Sequence, residues 1–102
     1  MALNSNEEIN RKLVTDAINT PKGYHQITDV SAAVGIFAQA ARWALIQAVG
    51  QNVRWRDDGT DPTTTVGMIL YAGQTLRYNG DVRMVKFIEV AASAELNVAL
   101  YY

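Results

Sequence analysis

The sequence has no cysteine, which excludes a disulfide frame, a thiolate metal site and a cysteine nucleophile. Its single histidine, His25, stands between Tyr24 and Gln26 and reads as a surface or capping residue rather than a base. Serine occurs only at Ser5, Ser31 and Ser93, so a nucleophile-and-base constellation has no good members. No glycine-rich phosphate loop occurs in either of its common spacings. Charge is sparse and balanced: charged residues are 19% of the chain, and 9 basic against 10 acidic side chains leave a net charge of -1. That mixture provides no electrostatic footprint for nucleic acid or anionic lipid. The apolar runs fall far short of the roughly 20 residues that span a bilayer. The polar, acidic start, Met-Ala-Leu-Asn-Ser-Asn-Glu-Glu, lacks the basic-then-apolar order of a signal peptide. The expectation is a soluble protein of the compartment in which it is made, with no cofactor.

What is present is a chain of 102 residues with 49% hydrophobic side chains, enough for one domain with one core. Residues 1–22 differ from the rest. Ile9, Leu13, Val14 and Ile18 follow a helical spacing, Ser5 or Asn6 stands as N-cap, and Glu7 and Glu8 occupy the first turn. The expectation is a helical N-terminal arm, ended at Asn19-Thr20-Pro21-Lys22-Gly23, with Ile9, Leu13 and Ile18 as its contact residues. Residues 23–102 then form a β domain.

Within that domain, Asn52 to Pro62 is the informative stretch. Val53 and Trp55 alternate with Arg54 and Arg56, the period-two pattern of a half-buried strand. Asp57-Asp58-Gly59 stops it, since glycine takes positive φ freely and aspartate bonds nearby backbone. Further strands are predicted at Tyr24 to Val30, Ala41 to Val49, Val66 to Tyr71, Thr75 to Tyr78, Val82 to Val90 and Glu95 to Tyr102. Ser31 to Ala41 is left as strand or loop. Gly50-Gln51-Asn52 and Asn79-Gly80 are predicted hairpin turns. Short strands parted by turn signals every 8 to 12 residues or so imply an antiparallel β-sandwich, jelly-roll-like, or a small barrel. The strand from Ala41 is apolar on both faces, with Trp43, Leu45 and Val49 opposite Ala44, Ile46 and Ala48. Such a surplus predicts cover by sister subunits.

Asp57, Asp58 and Asp61 form the one acidic cluster. Their spacing lacks the regular ligand positions of a calcium loop, and structural use in loop amides and in pairs with Arg54 or Arg56 is expected instead. A metal-dependent hydrolase on these three acids is the weakest of the functional readings. Trp43, Trp55, Tyr71, Tyr78, Tyr101 and Tyr102 are mostly core at strand spacing, with Tyr101 and Tyr102 as interface candidates.

The runs Ala44-Leu45-Ile46-Gln47-Ala48, Val53-Arg54-Trp55-Arg56-Asp57-Asp58-Gly59, Pro62-Thr63, Val66-Gly67-Met68 and Phe87-Ile88, with Leu96-Asn97-Val98 and Tyr101-Tyr102, resemble a pattern in small virion proteins of tailed bacteriophages. The resemblance covers roughly residues 40–102. It implies a non-enzymatic capsid decoration or cement protein on the capsid surface, made in the host cytoplasm, assembling as a homotrimer against the major capsid protein, with no nucleic acid or membrane partner. Arg54, Trp55, Arg56, Asp57 and Asp58 would then fix the loop or the subunit contact. A tail or head-fibre module that binds a host glycan through exposed aromatics is the competing expectation.

Overall fold

The structure, a computed structural model, describes residues 20–36 and 41–102. The expected helical arm, with Ile9, Leu13 and Ile18, lies outside the described residues except at its end. There the arm boundary at residue 22 is corrected: strand β1 already runs from Pro21 to Ile27. Seven more strands follow among the described residues: β2 Val34–Gly35, β3 Trp43–Val49, β4 Val53–Arg56, β5 Met68–Leu70, β6 Thr75–Tyr78, β7 Lys86–Glu89 and β8 Glu95–Tyr101.

All pairings are antiparallel, and they build two four-stranded sheets, ordered β1-β8-β3-β6 and β2-β7-β4-β5. Two separate sheets replace the single closed barrel considered from the sequence. Only β4 and β5 are both consecutive and paired among the described residues. The predicted hairpins at Gly50-Gln51-Asn52 and Asn79-Gly80 are therefore corrected. Each turn carries the chain from one sheet to the other, from β3 to β4 and from β6 to β7. Gly50 does take the left-handed conformation expected of it, at a φ of +82°, whereas neither Asn79 nor Gly80 has a positive φ; residues that tolerate αL reverse a chain without specifying which strand it meets.

Period two explains the core. Leu96, Val98 and Leu100 of β8 and Ala44, Ile46 and Ala48 of β3 point inward from the first sheet, and Val53, Leu70 and Phe87 from the second. They share one cluster with Ile27, Val30, Ile36, Tyr78, Val82 and Val85. The predicted strand Val82 to Val90 shortens to β7, because Asp81 to Met84 closes a turn through the Met84 amide and the Asp81 carbonyl, 2.9 Å apart. Val82 within that turn and Val85 just after it are buried without being strand residues.

The two-faced β3 is largely covered from within the chain. Tyr101 stacks on Trp43 at 4.1 Å between ring centroids, and the Arg77 guanidinium lies over the same ring at 4.1 Å. Trp43 is left 9% exposed. Val49, at the end of β3, stays 38% exposed, and the largest contiguous run of exposed apolar side chains among the described residues is on β5 and the residues flanking it: Val66, Met68, Ile69 and Tyr71 are 51%, 62%, 37% and 54% exposed.

Candidate functional site

The stretch singled out in the sequence is brought together as a braced loop. β4 leads out of the sheet at Arg56, and residues 57–67 return to β5 alongside it. Arg54 reaches across this loop, donating from Nη1 to the Gly67 carbonyl at 2.8 Å and from Nε to the Thr64 carbonyl at 3.2 Å. Of the two arginines expected as aspartate partners, Arg54 thus binds carbonyls and Arg56 takes the aspartate. Arg56 grips Asp58 with two donors, Nε to Oδ1 at 3.0 Å and Nη2 to Oδ2. Asp58 Oδ1 also accepts the Thr60 amide at 3.3 Å. At the far side Thr63 and Val66 exchange backbone bonds of 2.9 and 3.3 Å, and Pro62 is buried.

Each acid of the cluster is engaged separately. Asp61 accepts Lys86 Nζ at 2.9 Å, and Asp57 accepts the Tyr78 hydroxyl at 2.7 Å. The three carboxylates thus serve three different partners, and among the described residues no group of three or more His, Cys, Asp or Glu is placed to hold a metal ion. The hydrogen bonds from Arg56 hold the Asp58 carboxyl below the usual carboxylate range, and the Arg56 guanidinium is correspondingly raised. Burial, then the bond to Asp57, pushes the Tyr78 phenol up. The Tyr78 ring meets Trp55 edge-on at 5.9 Å, which anchors the loop to the core.

Between this loop and β5 lies an open groove of about 410 Å³, lined by Trp55, Arg56, Asp57, Asp58, Val66, Gly67 and Met68. Its walls are largely apolar, with the Arg56-Asp58 pair beside them. The arrangement can hold an apolar side chain beside the Asp57 and Asp58 carboxylates, which are engaged by Tyr78 and Arg56. Of the other predicted residues, Tyr101 is spent inside the chain on Trp43, whereas Tyr102 is exposed, with Lys22 Nζ 4.8 Å from its ring centre.

A second feature was not anticipated. On the outer face of the first sheet, Gln26, Asn97 and Gln47 stand opposite one another on β1, β8 and β3. Gln26 Nε2 and the Tyr24 hydroxyl each donate to Asn97 Oδ1 at 2.9 Å, and Asn97 Nδ2 donates to Gln47 Oε1 at 3.1 Å. Beside this row is a shallow cleft of about 180 Å³ whose walls include Tyr24, Gln47, Thr75 and Asn97 over a floor of Leu45 and Ala99. Outward polar positions on three separate strands were visible in the sequence, but their alignment depends on register.

Compared with protein-family models, curated proteins and solved structures, the chain matches none. The likeness to phage virion proteins rests on the residues quoted for it alone.

Proposed function

We propose that the chain is a non-enzymatic structural protein of a tailed-phage virion, a decoration protein that braces the capsid surface by binding sister copies and the major capsid protein. The observation that carries this reading is the exposed apolar margin Val66, Met68, Ile69 and Tyr71. It lies along β5, the terminal strand of its sheet, beside the groove at Trp55. A sheet edge with greasy side chains is a template for another chain, which monomeric proteins blunt with charge or proline. Here neither intervenes between Val66 and Tyr71.

The strand order β1-β8-β3-β6 over β2-β7-β4-β5 also supports the reading. It is how a jelly-roll sandwich is wound, an architecture recurrent in capsid proteins. In the proposed assembly three copies close a ring, Arg54, Arg56, Asp57 and Asp58 keep the groove in shape, Tyr102 adds contact area, and Ile9, Leu13 and Ile18 of the arm seat on a neighbouring surface. Stabilisation follows from mass action: a ligand that binds only the intact shell raises its stability by RT ln(1 + [L]/Kd).

The test is the solution mass by light scattering, followed by addition to purified decoration-free capsids. A trimer that raises the capsid's melting temperature is expected. A monomer that leaves the capsid unchanged overturns the reading.

A further inference from the structure

We infer that the outer face of the β1-β8-β3-β6 sheet is a binding site for a neutral carbohydrate, seated on the Leu45-Ala99 floor between Tyr24 and the Gln47-Asn97 amides. The inference takes up the glycan alternative of the sequence analysis at residues other than those suspected there, and it stands whether or not the chain belongs to a virion.

The charge of the ligand follows from the lining. Tyr24, Leu45, Gln47, Thr75, Asn97 and Ala99 include no ionisable carboxylate, ammonium or guanidinium. Arg77, which pairs with Leu45 in register, lies over the Trp43 ring. A phosphate or carboxylate ligand would thus meet no opposite charge in the lining, and a cationic one no anion.

The hydrogen-bond pattern narrows the class. The amide row runs in one direction: Gln26 donates to Asn97, and Asn97 donates to Gln47. Each internal bond uses one donor and one acceptor, so capacity remains. The second Asn97 Nδ2 hydrogen, both hydrogens of Gln47 Nε2 and the Gln26 carbonyl are uncommitted within the row. The row's own bonds hold these planar groups in place, so little rotamer freedom remains to be lost on binding. Donors and acceptors fixed side by side match vicinal hydroxyls, each of which both donates and accepts.

The rest of the cleft fits the other surface of a sugar. Leu45 and Ala99 offer an apolar floor for the C–H face of a pyranose, and the Tyr24 ring, 62% exposed, stands at the side as a stacking wall. At about 180 Å³ the cleft suits one ring rather than a drug-sized ligand, for which pockets of roughly 300–1,000 Å³ are usual. A peptide strand is a poor occupant, because the floor of the cleft lies on β8 and β3, between walls from the outer strands β1 and β6. β8 and β3 are interior strands, hydrogen-bonded on each side, with no backbone edge to extend.

The experiment is a titration of the full-length 15N-labelled protein with neutral oligosaccharides of glucose, galactose and N-acetylglucosamine, read on the side-chain amides of Gln26, Gln47 and Asn97. One of the three series is expected to move the Gln47 and Asn97 signals selectively. Asn97→Ala should weaken that binding about tenfold, the loss of one to two hydrogen bonds. Tyr24→Ala should weaken it severalfold, and Met68→Ser, on the other sheet, should leave it unchanged. The inference is overturned if none of the three sugars shifts these amides at about 10 mM, a weaker limit than any useful single-ring site. It is equally overturned if a folded Asn97→Ala protein binds as the parent does, or if the amides respond to protein concentration rather than sugar, which would make the face a contact between copies.

Discussion

Gly67 holds a φ of +141°, where a side chain is strained, and a Cβ there would come within 3.1 Å of Arg54 Cβ and the Trp55 carbonyl and 3.3 Å of Pro62 Cβ. The loop closes onto β4 because this position has no side chain. Gly67→Ala should cost about 1–3 kcal/mol, seen as a lower denaturant midpoint with an unchanged slope. A second set of residues governs pH dependence. The Asp58, Asp81 and Asp29 carboxyls are held low by hydrogen bonds from Arg56, Arg83 and Ser31 respectively. Their contributions are complete above the unfolded value of about 3.9 and vanish as pH falls through the lower folded values. Tyr78 has the opposite sign: its raised phenol stabilises fully below the unfolded value of about 10 and less as pH climbs through the folded one. Melting temperature should therefore be level from about pH 5 to 9 and fall on both sides. Tyr78→Phe should remove the alkaline fall at a cost near 1 kcal/mol at neutral pH.

At the scale of elements, β5 is the strand on which the proposed assembly depends. Ile69 pairs with Arg54 on the outer side of the second sheet and is exposed. Ile69→Lys should convert the assembled protein to a monomer by light scattering while changing its unfolding free energy by no more than about 0.5 kcal/mol. A tenfold dilution series that leaves both proteins at the same mass would contradict this. β5 was also only partly legible in the sequence. Val53–Arg56 and Thr75–Tyr78 were read to the residue, because clean alternation ends there at strong turn residues. Val66 to Tyr71 shrank to Met68–Leu70 since Val66 and Gly67 belong to the loop tied down by Arg54 and Thr63. Val82 and Val85 continue the apolar pattern of the strand, yet one sits in the turn before β7 and the other between that turn and β7. Pairing was not legible at Gly50 or Asn79-Gly80, where the chain changes sheet. The Gln26-Asn97-Gln47 row was hidden for the same reason: it exists only once β1, β8 and β3 are aligned.

For the whole molecule, the pairing of β1 with β8 brings together residues far apart in sequence, such as Tyr24 and Asn97, 73 apart and joined by a side-chain hydrogen bond. So much chain must be closed before this pairing stabilises anything that folding belongs with the slow, non-local β topologies. Refolding followed by tryptophan fluorescence should occur in milliseconds to seconds, roughly, rather than microseconds. Phe87, buried completely where β7 lies between β2 and β4, ties the second sheet to the shared core. Phe87→Ala should cost about 3–5 kcal/mol, a large part of the stability of a domain this size.

The β1–β8 ladder has one more outcome. The Tyr102 amide donates to the Thr20 carbonyl at 2.8 Å, so these two residues are already neighbours in space. In a variant from which residues 1–19 are removed, a few glycines could splice Tyr102 to Thr20, and the backbone could be cut instead at the exposed Ala72-Gly73 bend. Such a circular permutant would keep every strand pairing while moving its free termini to the opposite side of the order of synthesis, and it should retain the parent's β-sheet circular dichroism spectrum.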